Sequence, residues 1–423
     1  VINNGVVTIT GNSISAVGTA QDIDVSSAKK VIDARNCVVM PGFCNSHTHI
    51  ASNLLLRGLL EDVLLFEWLQ TMWKLKQNFD EETLYWASMC GLVEMARSGI
   101  TSFNEHFDAY AVEPQIEALK EIPLRATLGY GFADRGLYAS ITDYSWKTIN
   151  NFGNLAAQHH KTRDDLLRIA LSPHAVYSCG EEMWRLVREV ADAQQVPIHT
   201  HLSEGMQEVE YCLETYGLRP VQWLHSLGFL GPDVTAGHCS QLDATDIKLL
   251  AETGTKIGHC PVCNAKLGSG TMPLRQVREA GITVGLATDG PASHNASDMF
   301  QEMKFAGLIH KTNTGDVEFL KINELLEMST YQGALAMNRP DTGRLEVGAK
   351  ADVIVVNLDT AHAQPVYDPM SALVYSTRAD DVRHTIVNGQ FIMENGRVLG
   401  VDEDLIRAKF HEKAHALKVR SLG

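Results

Sequence analysis

The chain changes hydrophobic rhythm twice. Its first forty residues alternate apolar and polar positions in short runs broken by Gly and Asn: VINNGVVTITGN, SISAVG and KVIDARNCVVMPG. This is the period of short strands in hairpins. The texture returns near the end in GAKADVIVVNLD and DVRHTIVNGQFIMENGRV, where Asn388-Gly389 and Asn395-Gly396 are hairpin-turn dipeptides. Neither stretch has enough apolar face to stand alone, so the economical reading is one small β domain assembled from residues 1–40 and 344–423. Residues 41–343 are inserted into it. There, apolar runs alternate with amphipathic helical stretches such as EEMWRLVREVADAQQ (181–195) and PLRQVREA (273–280), the second stopped by Gly281. That alternation predicts parallel strands joined by crossover helices.

Eight candidate strands end at SHTH (46–49), TSFNEH (101–106), ATLGYG (126–131), IALSPH (169–174), IHTHLSE (198–204), VTAGHC (234–239), KIGHC (256–260) and VGLATDG (284–290). Eight is the number that closes a barrel. His47, His49, His174, His201, His238 and Asp289 all fall at or just past the C-terminal ends of these runs, the face on which barrels place their chemistry. A doubly wound open sheet would show a glycine-rich turn after its first strand, and GFCNSHTH is not one. The predicted class is therefore α/β: a (β/α)8 TIM barrel with a small β-sandwich domain formed by the N- and C-terminal segments.

Strand side chains repeat direction every two residues, so His47 and His49 point to one side and can hold one metal together. An isolated H-x-H is a weak signal. It gains weight here because IHTHLSE and ATDG supply further imidazole and a carboxylate at barrel-consistent positions. Three His and one Asp leave the open position of a catalytic rather than a structural site. Spacing cannot choose between His199 and His201, which share a face. Glu204 lies three residues past His201, where strand gives way to loop, within reach of a substrate over the metal. The C-x-x-C of Cys260 and Cys263 lacks a second thiol pair at zinc-ribbon spacing and does not open a thioredoxin-like unit, so neither role is assigned to it. Trp68 and Trp73 lie on an apolar helical stretch that suits core or lid packing as well as ligand stacking.

Composition narrows the class of partner. Of 423 residues 45% are hydrophobic and 21% charged, ordinary for a globular protein with a sizeable core. The formal charge of −15 is spread without a basic stripe, which argues against nucleic acid or an anionic membrane as partner. Eight cysteines do not make a dense disulfide framework. No run of about 18 apolar residues and no charged-then-apolar leader is present, so a soluble cytoplasmic protein is expected.

Taken together these motifs resemble the amidohydrolase superfamily, in particular the branch of methylthioadenosine/S-adenosylhomocysteine deaminases, guanine-type deaminases and triazine hydrolases. PGFCNSHTH is similar to the family's first-strand motif, HLSE to its fifth-strand His-x-x-Glu, GHC to its sixth-strand His and TDGPASHN to its eighth-strand Asp motif. GRLEVGAKADVIVVNLD is similar to the return into the terminal β domain. The resemblance implies that His47, His49, His201 and Asp289 ligate one divalent metal, zinc first, with iron or manganese as alternatives. It selects His201 over His199. It implies that Glu204 shuttles protons to a ring nitrogen, that His238 orients water or substrate, and that His174 contacts substrate, with Trp68 beside it. Binuclear relatives carry a bridging carboxylated lysine at the fourth strand end, and LSPHAVYS has no Lys.

Departures from the family pattern also bear on the reading. His-Cys-Pro-Val-Cys-Asn (259–264) stands where His-Asn-Pro-x-Ser-Asn is common. Gln77 stands at the position read as that of a ribose-gripping Glu. The implied activity is hydrolytic deamination of an amino-substituted nitrogen heteroaromatic ring by a homo-oligomer, most simply a dimer. Gln77 points to free bases or compact amino-heterocycles over ribosylated adenines, because a neutral amide grips ribose hydroxyls less well than a carboxylate. Displacement of chloride or alkylamine from a triazine, deamination of methylthioadenosine or S-adenosylhomocysteine, and a non-catalytic assembly protein are the alternatives.

Overall fold

A computed structural model of the chain describes residues 1–107 and 111–422. Strands β1 (Gly5–Thr10) and β2 (Ser13–Thr19) form an antiparallel pair, and β3 (Cys37–Pro41) leads to the first barrel strand, β4 (Phe43–Thr48). The barrel continues through β5 (Ile100–His106), β6 (Arg125–Phe132), β7 (Leu167–Pro173), β8 (Ile198–Leu202), β9 (Val234–His238), β10 (Lys256–His259) and β11 (Val284–Leu286). All eight are parallel and neighbours in sequence order. The eight predicted strand ends therefore fall on the eight barrel strands.

Closure between β11 and β4 uses no regular ladder. The Asp289 N–H donates to the His47 carbonyl at 3.0 Å, and Ser46 Oγ donates to the Leu286 carbonyl at 2.9 Å. Asn45 and Thr288 exchange two bonds of 2.8 and 3.0 Å. Side chains of the first strand thus stitch the seam while the next residues along it carry the histidines. The packing requires glycine there: a Cβ on Gly285 would lie 2.1 Å from Ser46 Oγ.

The terminal segments form a five-stranded antiparallel sheet in the order β15-β14-β13-β12-β3, with β12 (Val353–Asn357), β13 (Val382–Val387), β14 (Gln390–Glu394) and β15 (Arg397–Val398). Ile14, Val353 and Ile386 pack between it and the β1–β2 pair, the core of a small sandwich. Both hairpin dipeptides turn as their residues dictate: Asn388, Gly389, Asn395 and Gly396 all have positive φ, which Asn and Gly tolerate best. Only Gly42 separates β3 from β4, and a buried Arg125–Asp352 pair at 2.7 Å ties β6 to the start of β12. The last helix, Glu403–Leu422, falls within the span expected for the β domain, yet it lies against the helix Glu81–Ser98, with Lys413 and Glu82 paired at 2.7 Å. No described helix is long and apolar enough to cross a membrane.

Candidate metal and substrate site

Three imidazoles and one carboxylate meet at the C-terminal mouth of the barrel. His49 donates through Nδ1 to the His106 carbonyl at 2.7 Å, and His201 through Nδ1 to the His174 carbonyl at 2.8 Å. A carbonyl can only accept, so each ring's proton is on Nδ1 and its Nε2 carries a lone pair. Those two Nε2 atoms face each other at 3.1 Å, and Asp289 Oδ1 stands 3.2 Å from His49 Nε2 and 3.3 Å from His47 Nε2. His47 Nε2 is buried and makes no hydrogen bond to any described residue. Lone pairs converging on a carboxylate oxygen repel one another unless a cation lies among them, so the donor set fits a divalent metal. Burial pushes His47 down to about 3 and His201 well below its usual range, which keeps both rings in the neutral form a metal needs.

The structure separates the two rings of the second H-T-H. His199 Nε2 lies 2.7 Å from His47 Nδ1, behind the cluster, where it fixes the tautomer that turns His47 Nε2 inward. His201 joins the cluster directly. Cys263 Sγ and Ser293 Oγ both donate to Asp289 Oδ2, at 2.8 and 2.6 Å, so Oδ1 is the oxygen left facing the rings. Asp289 and His238 have φ of 58° and 69°, a left-handed conformation costing non-glycine residues on the order of 1–3 kcal/mol, which is typical of side chains held for function.

Glu204 and His238 stand beside the cluster, Glu204 Oε1 at 3.8 Å from His238 Nδ1. The same nitrogen is 2.9 Å from Asn264 Oδ1, which leaves Nε2 for another partner. Burial raises the Glu204 carboxyl, against the pull of His238. Glu208 accepts from the backbone N–H groups of Ser203 and Glu204 at 3.0 and 2.8 Å and so locks the loop that carries Glu204. Glu105 does the same for the turn after His49, accepting from Ile50 and Ala51 at 3.0 Å each.

A cavity of about 350 Å3, counted to its open mouth, rises from this cluster. It is lined by His49, His201, His238, Glu204 and Asp289 of the cluster and by Leu65, Trp68, Leu69, His174, Tyr177 and Leu267. His174 and Trp68 both line this cavity. Gln77 does not. It is exposed at the C-terminal cap of the helix Leu65–Lys76, with Nε2 3.5 Å from Ser140 Oγ, because the apolar face of that helix turns Trp68, Met72 and Leu75 inward and the cap outward. Sequence reasoning missed His106, whose ring lies 4.3 Å from that of His201, and Glu208. The first ends a predicted strand and the second follows HLSE by one helical turn, so both carried a signal.

The Amidohydrolase family model matches residues 38–392. A 5-methylthioadenosine/S-adenosylhomocysteine deaminase of Syntrophobacter fumaroxidans is 37% identical over 98% of this chain and 94% of its own. Among solved structures, an adenosine deaminase from Xanthomonas campestris with bound zinc superposes with a TM-score of 0.91 at 29% identity, covering 98% of this chain and 94% of that one. The atrazine chlorohydrolase of Arthrobacter aurescens TC1 complexed with zinc does so at 0.89 and 26% identity, covering 97% and 95%. The match in sequence spans the same strands that bring the imidazoles and the carboxylate together, and the chain belongs to the amidohydrolase family.

Proposed function

We propose that the protein is a zinc-dependent hydrolytic deaminase that releases ammonia from an adenine-type nucleoside modified at its 5′ position. The observation that carries the reading is the cage of His47, His49, His201 and Asp289 set beside a buried Glu204 in the lining of a cavity. The preference for free bases rested on Gln77 facing the substrate, and with Gln77 outside the cavity that argument lapses. The name carried by a relative 37% identical over nearly the whole chain favours a 5′-modified adenosine instead. A lining that includes Leu65, Trp68, Leu69 and Leu267 suits an apolar 5′ substituent.

His47, His49, His201 and Asp289 would hold a zinc ion, whose Lewis acidity would bring the pKa of a water from about 15.7 to about 7. Asp289 accepts the proton that this water gives up. Glu204, whose carboxyl burial pushes up, donates a proton to the ring nitrogen next to the attacked carbon. His238, anchored by Asn264, orients the water with its Nε2. As the carbonyl forms, the hydroxyl proton of the adduct returns to Glu204, and the proton on Asp289 leaves with the amine as ammonia. His174 and Trp68 position the ring.

Ammonia release measured over adenosine, 5′-modified adenosines, free purines, pterins and triazines, alongside metal analysis, tests the reading. Turnover of ribosylated adenines with about one tightly bound ion per chain is expected. Preference for free bases would overturn the substrate, and release of chloride or alkylamine without ammonia would overturn the reaction.

A further inference from the structure

Cys263 brings a soft ligand to the edge of a cage otherwise made of imidazole and carboxylate. Its Sγ, a carboxylate oxygen of Glu204 and a ring nitrogen of His238 lie within 4.8 Å of one another, and all three residues are buried. Sγ is also 2.8 Å from Asp289 Oδ2, the oxygen turned away from His47 and His49. Around one tetrahedral ion, bonds of ~2.3 Å to sulfur and ~2.0–2.1 Å to nitrogen or oxygen set the ligand atoms roughly 3.3–3.6 Å apart. The three groups therefore need to close by no more than about 1.5 Å to hold one ion. We propose that Glu204, His238 and Cys263, with Asp289 Oδ2 shared from the first cage, form a second metal site that takes a thiophilic divalent cation such as zinc or cadmium, and that filling it stops turnover.

The chemistry of the donors sets both halves of the proposal. On binding, the thiol and the Glu204 carboxyl give their protons to solvent. The thiolate, Glu204 and Asp289 then bring three negative charges to two neighbouring cations, which offsets the repulsion between the cations. A thiolate favours zinc and cadmium over magnesium and calcium. Where the family pattern places a serine, a neutral hydroxyl is a poor ligand, so the site belongs to the Cys263 form of the sequence. Inhibition rests on the roles proposed above for Glu204 and His238, which the second cation would occupy. Occupation itself does not depend on them.

Cadmium titration of the zinc-loaded protein tests this, following retained metal, the ultraviolet absorbance of cadmium–thiolate charge transfer, and ammonia release. A second equivalent should bind, the absorbance should level off at one cadmium per chain, and turnover should fall in parallel. Cys263→Ser should abolish the absorbance and weaken the second equivalent by at least about ten-fold, the scale on which even outer partners of a metal ligand are felt. Cys260→Ser should keep both. Absence of a second equivalent, or retention of absorbance and affinity in Cys263→Ser, would overturn the site. If that variant does not fold, the cadmium-113 resonance of the wild-type protein decides: a sulfur-ligated shift supports the site and a shift typical of nitrogen and oxygen alone overturns it. Thiolate absorbance with undiminished turnover would leave the site standing and overturn the inhibition, together with the roles given to Glu204 and His238.

Discussion

Replacing His199 by alanine tests how the cage is held in aim. The ring is 1% exposed, and its Nε2 accepts from His47 Nδ1 at 2.7 Å. Its loss leaves the His47 Nδ1–H buried without that acceptor, which costs roughly 1–3 kcal/mol. An outer partner of a metal-binding histidine is typically worth about 10–100-fold in metal affinity, or roughly 1.4–2.7 kcal/mol. Competition against a chromophoric chelator should therefore show zinc held about 10–100-fold more weakly by His199→Ala. His201→Ala, which takes away a ring nitrogen facing His49 Nε2 at 3.1 Å, should hold no zinc in the same assay. His199→Gln, whose amide oxygen can accept the same bond, should recover most of the affinity. Equal loss in His199→Ala and His201→Ala, or an unchanged affinity in His199→Ala, would refute this account of the second H-T-H.

Two further outcomes follow from the loop after β8. Glu204→Gln should keep its zinc by metal analysis but lose about 10²–10⁴-fold in kcat, because an amide cannot pass a proton; full activity with normal metal content would remove Glu204 from the mechanism. Burial pushes the Glu208 carboxyl from its ordinary range up to about 7, so the folded state holds its proton more firmly than the unfolded chain does. The stability this lends is fully present below about pH 4.5 and is lost as pH rises towards 7. Urea melts of the wild type compared with Glu208→Gln should show the difference shifting against the wild type across that window and levelling above it, and a shift in its favour would contradict the sign.

Much of this arrangement is written in local periodicity, and what is not written there is depth. Period two places His47 with His49 and His199 with His201 on shared faces, and the strand ends mark the chemical rim. Two residues along a strand are also roughly 6–7 Å apart along it, about 5 Å of that along the axis of a barrel whose strands tilt by about 36°, so one ring of the second pair reaches the mouth while the other serves from below. No rule of spacing distinguishes them. Gln77 failed for a related reason. Its match to a ribose-gripping Glu is one of position, and its place in the fold is the exposed cap just past the helix, which stops at Lys76. Glu208 and Glu105 act through backbone N–H groups brought to them by the fold, a partnership that hydrophobic rhythm does not record.

The stitched seam between the first and last barrel strands has a consequence for the order in which the protein comes into being. Ser46 and Leu286 are 240 positions apart, so β4 emerges from the ribosome with one edge unpaired until β11 follows it. At about 5–20 residues per second that interval is roughly 10–50 s. Through all of it, the strand bearing His47 and His49 is an open template for wrong pairing. Asp289 arrives in the same few residues that shut the seam, and its own backbone N–H makes one of the closing bonds. If Asp289 is a ligand as proposed, the cage is complete only once the barrel closes, and a nascent chain stalled before residue 284 should hold zinc there more weakly than the full chain.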